Sequence, residues 1–232
     1  MITVRRSEDR GKTHIDWLDS RHSFSFGDYY DPANESFGPL RVINEDWIKG
    51  GAGFPPHPHR DMEIVTYILE GAISHKDSTG GGGVIKPGEI QRMSAGTGIV
   101  HAEFNASGSR PCHLLQIWIM PSKTGIEPGY EQKTIDPKAI SNHFARIAAP
   151  DPQGNEVRLV QDAEIWSARL DPGVEAIRPL AQGRKAWLQV AKGEIKLDDQ
   201  LLKAGDAAAI TDQTQIAVRS VTEAEVLLFD LA

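Results

Sequence analysis

Cysteine is almost missing from this chain. Cys112 is the only one in 232 residues, so no disulfide forms within the chain and a reducing, cytoplasmic setting is expected. No run of 18 apolar residues occurs, which argues against a membrane-spanning helix. The segment MITVRRSEDRGK lacks the apolar stretch of a secretion signal. A basic half is missing too. Residues 1–120 carry 12 basic and 15 acidic side chains, and residues 121–232 carry 13 and 17. Direct nucleic-acid binding, which needs a surface that neutralises phosphates, is therefore not expected. Long segments of 3.6-residue periodicity are scarce, which disfavours a helical bundle.

What remains suits β structure. Hydrophobic residues make up 40% of the chain and charged residues 25%, enough to bury a core. The 22 glycines and 14 prolines supply many turns. Short apolar runs recur between them, at 40–43, 64–69, 114–120, 187–190 and 226–231. The pattern predicts an all-β chain of sandwich or barrel type. Residues 133–147 and 154–161 suit a short helix or a strand equally. The stretch 121–153 holds Pro121, Pro128, Pro137, Pro150 and Pro152 with few apolar runs, and reads as a connector.

A weak internal repeat points to two domains. Tyr67-Ile-Leu-Glu-Gly71 and Pro87-Gly88-Glu89 in the first half match Val190-Ala-Lys-Gly193 and Ala204-Gly205-Asp206 in the second. Each copy reads as strand, glycine, strand, turn and a step into another strand. The expected bounds are 1–120 and 151–232, joined by a connector over 121–150.

Seven of the eight histidines lie in the first half. On an extended segment, residues two apart share a face, so His57 and His59 in GFPPHPHRDME converge. His101 and Glu103 repeat that geometry in GTGIVHAEFN. Three imidazole nitrogens and one carboxylate oxygen suit a first-row divalent ion and are too rich in nitrogen for Ca²⁺ or Mg²⁺. Counting from the paired glycines, the second half has Pro179, Ala181, Val218 and Ser220 at these places. One metal site in two related domains would leave that difference.

The segments HPHRDMEIVTYILEG and MSAGTGIVHAEFN, with LRVINED, LLQIWIMP and GYEQK, resemble the pirin family of the cupin superfamily, in its bacterial quercetin 2,3-dioxygenase branch. The general cupin signatures fit loosely. Gly71 comes one residue late, Ser94 replaces the usual proline, and His101 comes two residues late. The resemblance implies a bicupin, two β-barrel domains of jelly-roll type. It also implies that His57, His59, His101 and Glu103 ligate one divalent transition metal per chain, with Fe(II) ahead of Zn, Ni, Mn, Co or Cu. Glu63, the carboxylate position of most cupins, becomes a neighbour of the metal and, with Glu103, a candidate proton acceptor. The implied activity is ring cleavage of a flavonol such as quercetin by O₂ with release of carbon monoxide. The rival is a metal-binding regulator acting through a protein partner. An open pocket over the metal favours the enzyme, and a blocked site beside an exposed apolar patch favours the regulator.

Other features read more plainly. His22, Phe24 and Phe26 alternate on one face, as core packing or as the wall of an aromatic pocket. His113 reads as a satisfied interior histidine, Cys112 as a small buried hydrophobe, and Gly80 to Gly83 as a hairpin loop, since no phosphate-binding pattern accompanies them.

Overall fold

The computed structural model describes all 232 residues. Its strands are β1 (Ile2–Arg5), β2 (Gly11–Ile15), β3 (Leu18–His22), β4 (Leu40–Ile48), β5 (Gly53–His59), β6 (Glu63–Glu70), β7 (Ile73–Asp77), β8 (Gly82–Ile85), β9 (Glu89–Ser94), β10 (Ile99–Asn105), β11 (Cys112–Ile119) and β12 (Gly129–Thr134). They continue as β13 (Ala145–Ala149), β14 (Val157–Arg158), β15 (Ala163–Leu170), β16 (Glu175–Pro179), β17 (Lys185–Lys192), β18 (Glu194–Leu197), β19 (Gln200–Lys203), β20 (Ala207–Ile210), β21 (Gln215–Ser220) and β22 (Ala224–Leu231). The only helical element is a short 3₁₀ turn over Ser7–Asp9. The all-β expectation holds, and both undecided stretches take strand where they are regular.

The chain forms two compact units. One comprises Gly11–Thr134 with Val157–Gln161, and the other Met1–Arg10, Ile135–Glu156 and Asp162–Ala232. These bounds interleave more than sequence reading expects. The first ten residues belong with the second unit because β1 pairs with β20, Ile2 opposite Ile210. The expected connector gives a strand to each unit, β12 beside β9 and β13 beside β15.

In the histidine-rich unit, one sheet runs β12-β9-β6-β11-β4-β3-β2 and the other β5-β10-β7-β8. In the second unit the orders are β1-β20-β17-β22-β15-β13 and β16-β21-β18-β19. Central strands such as β6, EIVTYILE, are buried along almost their whole length, as β-branched and aromatic residues favour. Strand β5 is different. It carries Pro55, Pro56 and Pro58 and lies at the sheet edge with β10 as its neighbour. Proline has no N–H to give a second neighbour, so an edge is where such a strand belongs.

The repeat is structural. Gly71 and Gly193 both have φ of +76°, and Gly88 and Gly205 have +85° and +88°, a region that glycine enters without penalty. The strand ladders correct the detailed correspondence. Asn105 pairs with Ile73, and Ser220 pairs with Ile195, each two residues after its paired glycine. Ser220 therefore takes the place of Asn105, Val218 that of Glu103 and Ile216 that of His101. Counting from Gly88 and Gly205 misses this because the stretch from Gly205 to Ser220 is two residues shorter than that from Gly88 to Asn105. On the facing strands, His57 pairs with His101 as Arg178 pairs with Ile216. Pro179 and Ala181 are thus not the positional equivalents of His57 and His59.

Candidate metal centre

Strand β10 alternates strictly. Ile99, His101, Glu103 and Asn105 point inward and are buried, while Val100 and Phe104 face out. His57 sits directly across from His101 on β5. A register shift between His101 and Glu103 accommodates an extra residue on β5, a bulge that re-aims side chains. His59 follows two residues after His57 on the same half-buried face.

The three imidazoles form a tight cluster. Ring centroids lie 4.8 Å apart for His57 and His59, 4.4 Å for His57 and His101, and 4.8 Å for His59 and His101. Their ligand atoms all lie within 4.8 Å of one another. His57 Nδ1 donates to the Pro55 carbonyl at 2.8 Å, which leaves its Nε2 lone pair 3.0 Å from His101 Nε2. Burial lowers His101 to about 2, helped by His57, His59 and His75 and opposed by Asp77. Burial and then His57 lower His59 to about 4. Both rings are therefore neutral at pH 7, and each offers one nitrogen lone pair. Three imidazoles packed this closely, with neutral rings among them, suit a shared cation.

Glu103 lies beside them, grouped with His101 and His75. Its Oε2 accepts from Gln116 Nε2 at 2.9 Å and its Oε1 from Thr66 Oγ1 at 3.4 Å. Burial, and next the charge of Asp46, raise it to about 7 against these two hydrogen bonds. Gln116 and Thr66 belong to a polar row across the inner face of the large sheet. In register order the row reads Gln132, Gln91, Thr66, Gln116, Asn44 and His22.

A cavity of about 300 Å³ opens over the cluster. Its walls include the rings of Phe26, Phe54 and Trp118, with Thr13, Ser20, Asn44 and Asp46 at its polar parts. Trp118 meets His59 edge-on at 5.0 Å and Phe26 at 5.4 Å. Of the alternating run, His22 and Phe26 reach the cavity, while Phe24 is buried elsewhere.

Glu63 is not brought to the site. It lies three residues before Thr66 and so on the opposite face of β6. There it is fully buried, accepts from the Val160 amide at 3.3 Å, and is pushed above the ordinary carboxylate range chiefly by burial. His113 is satisfied by Glu45 at 2.9 Å and stacks on Trp47 at 4.3 Å. The Cys112 thiol is buried and raised to about 12. Sequence reading missed Thr66, Gln116, Trp118 and the pair His75 and Asp77. Only the last pair left a signal, a second inward-facing spacing of two on β7.

Residues 3–119 match the family described as Pirin, and residues 146–231 match the quercetinase C-terminal cupin domain. The chain is 43% identical over 231 residues to quercetin 2,3-dioxygenase of Escherichia coli K12, spanning 100% of this chain and 99% of that protein. Among solved structures it resembles YhhW from Escherichia coli, with 42% identity, TM-score 0.96, and 100% and 98% of the two chains covered. It also matches bacterial pirin YhhW in complex with nickel(II), with 42% identity, TM-score 0.94, and 100% and 99% covered. No helix is long and apolar enough to cross a membrane.

Proposed function

Since this chain belongs to the pirin family, with a quercetinase-type cupin domain at its C-terminal end, we propose that it is a metal-dependent quercetin 2,3-dioxygenase. The reaction is cleavage of a flavonol's central ring by O₂ with release of carbon monoxide. The observation that carries this reading is the convergence of His57, His59 and His101 at a cavity that Glu103 also lines and that aromatic rings wall. We assign the four side chains as ligands of one divalent ion, and Fe(II) as the resident one. The nickel(II) complex of the Escherichia coli pirin supports a divalent ion in this fold. A cytoplasmic setting fits the lone thiol.

When bound, such an ion acidifies a coordinated hydroxyl and supplies a centre at which O₂ and an electron-rich ring react. The chain's own residues do the rest. Glu103, which lines the cavity, accepts the proton of the flavonol 3-hydroxyl on its carboxylate. Gln116 and Thr66 hold that carboxylate in place through its two oxygens. Phe26, Phe54 and Trp118 offer ring edges and faces to a flat substrate and keep bulk water from it. The cavity falls at the lower end of small-molecule sites, about 300–1,000 Å³, which suits one rigid ligand. Its openness favours the enzyme over the regulator.

The test is anaerobic reconstitution with Fe(II), Ni(II), Mn(II), Co(II), Cu(II) and Zn(II) in turn, followed by quercetin loss, O₂ uptake and carbon monoxide release. Stoichiometric O₂ uptake and carbon monoxide with at least one ion is expected. Tight metal binding with no turnover by any of them would defeat the reading.

A further inference from the structure

Asp77 is a buried carboxylate at the end of β7, and its two oxygens do different things. Oδ1 accepts from the Thr79 amide at 2.9 Å, the Thr79 hydroxyl at 2.7 Å and the Gly81 amide at 3.0 Å. Oδ2 faces His75 Nε2 at 3.1 Å. A carboxylate only accepts, so His75 carries its proton on Nε2. The neutral ring then has its lone pair on Nδ1, which stands 3.4 Å from His101 Nδ1. That contact is a hydrogen bond when His101 is protonated on Nδ1. His101 Nε2 is then left as a lone pair, 3.0 Å from His57 Nε2.

We propose that Asp77 and His75 are positioning residues that fix the tautomer and orientation of His101, and that the Gly80–Gly83 hairpin holds Asp77 in place to do so. The proposal rests on the metal reading above. It also explains a glycine. A Cβ on Gly81 would lie 2.4 Å from Asp77 Oδ2 and 2.9 Å from Tyr130 Cβ. Tyr130 in turn packs its ring on His75 at 4.9 Å, so hairpin, tyrosine and histidine form one stack behind the site. His75 is not itself a ligand in this scheme. Its Nε2 is committed to Asp77, and its Nδ1 meets the edge of His101 that faces away from His57.

Substituting Asp77→Asn makes a distinctive prediction. The three donors at Oδ1 retain the amide oxygen, so the NH₂ group turns toward His75 Nε2. His75 must then move its proton to Nδ1, and His101 must move its own to Nε2, where it blocks metal binding. Outer partners of this kind are typically worth about 10–100-fold in metal affinity.

The experiment combines ¹⁵N NMR of the histidines in the metal-free full chain with nickel(II) titration. In the parent protein His101 should be protonated on Nδ1. Asp77→Asn should reverse that assignment and weaken nickel(II) by about 10–100-fold. His75→Phe should weaken it similarly, and adding Asp77→Asn to His75→Phe should cost nothing more, because the effect passes through His75. Should Asp77→Asn fail to fold, Gly81→Ala, which displaces the same carboxylate, should weaken nickel(II) in the same sense. Protonation of His101 on Nε2 in the parent protein would overturn the proposal. So would a full Asp77→Asn penalty in the His75→Phe background, or complete loss of nickel(II) in His75→Phe, which would make His75 a ligand. A parent protein that binds no nickel(II) at all defeats the underlying metal reading, and the tautomer measurement still decides the relay.

Discussion

The two units have equivalent strands with opposite interiors. Counting from Gly71 and Gly193 and following the ladders, Thr66 corresponds to Leu188, Gln91 to Ala208, Gln116 to Leu228 and Asn44 to Trp166. Leu188, Ala208 and Leu228 belong to one continuous apolar core, with Trp166 packed against it and with Ile216 and Val218 at the places of His101 and Glu103. In the histidine-rich unit the same row is polar, and apolar clusters around Ile68 and around Ile64 lie along the barrel. Asn105 and Ser220 are the exception that shows the common plan. Asn105 donates to the carbonyls of Ile48 and Arg110 at 2.9 and 2.8 Å, and Ser220 binds the backbone of Asp171 and Val174. Both tie a neighbouring loop to the strand. A buried carboxylate and three histidines need donors nearby, and one barrel has been lined for them while its relative has kept a dry core.

The largest effect tests which barrel holds the metal. His57→Ala with His101→Ala should abolish bound metal and turnover, while parent protein carries one ion per chain by elemental analysis. A second ion that survives loss of the first-unit ligands would erase the distinction between the units.

Exchanging the linings comes next. Gln116→Leu removes a charge-assisted donor from Glu103 and should cost about 1.5–3 kcal/mol in the metal-free protein above pH 7. Leu228→Gln buries an unpartnered amide in the apolar core and should cost at least about 2 kcal/mol. Denaturant unfolding measures both, and a freely tolerated Leu228→Gln would mean that the second interior is not dry.

A smaller effect depends on pH. In the metal-free chain Glu103 titrates near 7, so below that pH an incoming ion must displace its proton. Metal affinity should fall by up to about tenfold per pH unit from 7 to 5 through this group. His59 and His101, at about 4 and 2, add no slope there. Glu103→Gln should remove this component in competitive titrations.

Smallest of all, Glu63→Gln should leave metal content and turnover unchanged, because Glu63 faces away from the cavity. Loss of metal in that variant would return Glu63 to the site.

Much of the site was legible in the sequence because strand alternation is a local rule. His57 with His59, and His101 with Glu103, needed only a period of two and an extended backbone. The repeat was legible because Gly71 and Gly193 sit where other residues are strained. What escaped was set by tertiary register. The polar row joins residues from six strands and leaves no spacing to read. The face of Glu63 follows only once Thr66 is known to point inward. The shift from Ser220 to Asn105 hides in a shorter connection between the two sheets, and the home of β1 depends on the distant strand β20, Ile2 opposite Ile210.

The prolines of β5 have a consequence for the strand that carries His57 and His59. Pro55, Pro56 and Pro58 hold their own φ angles near the extended value whether or not an ion is present. Their main effect is on the unfolded chain, which has fewer conformations to lose. Little ordering entropy is then left for metal binding to supply on this side of the cluster. The empty and loaded strands should have the same shape, and an ion can leave and return without the edge fraying or recruiting the open edge of another chain.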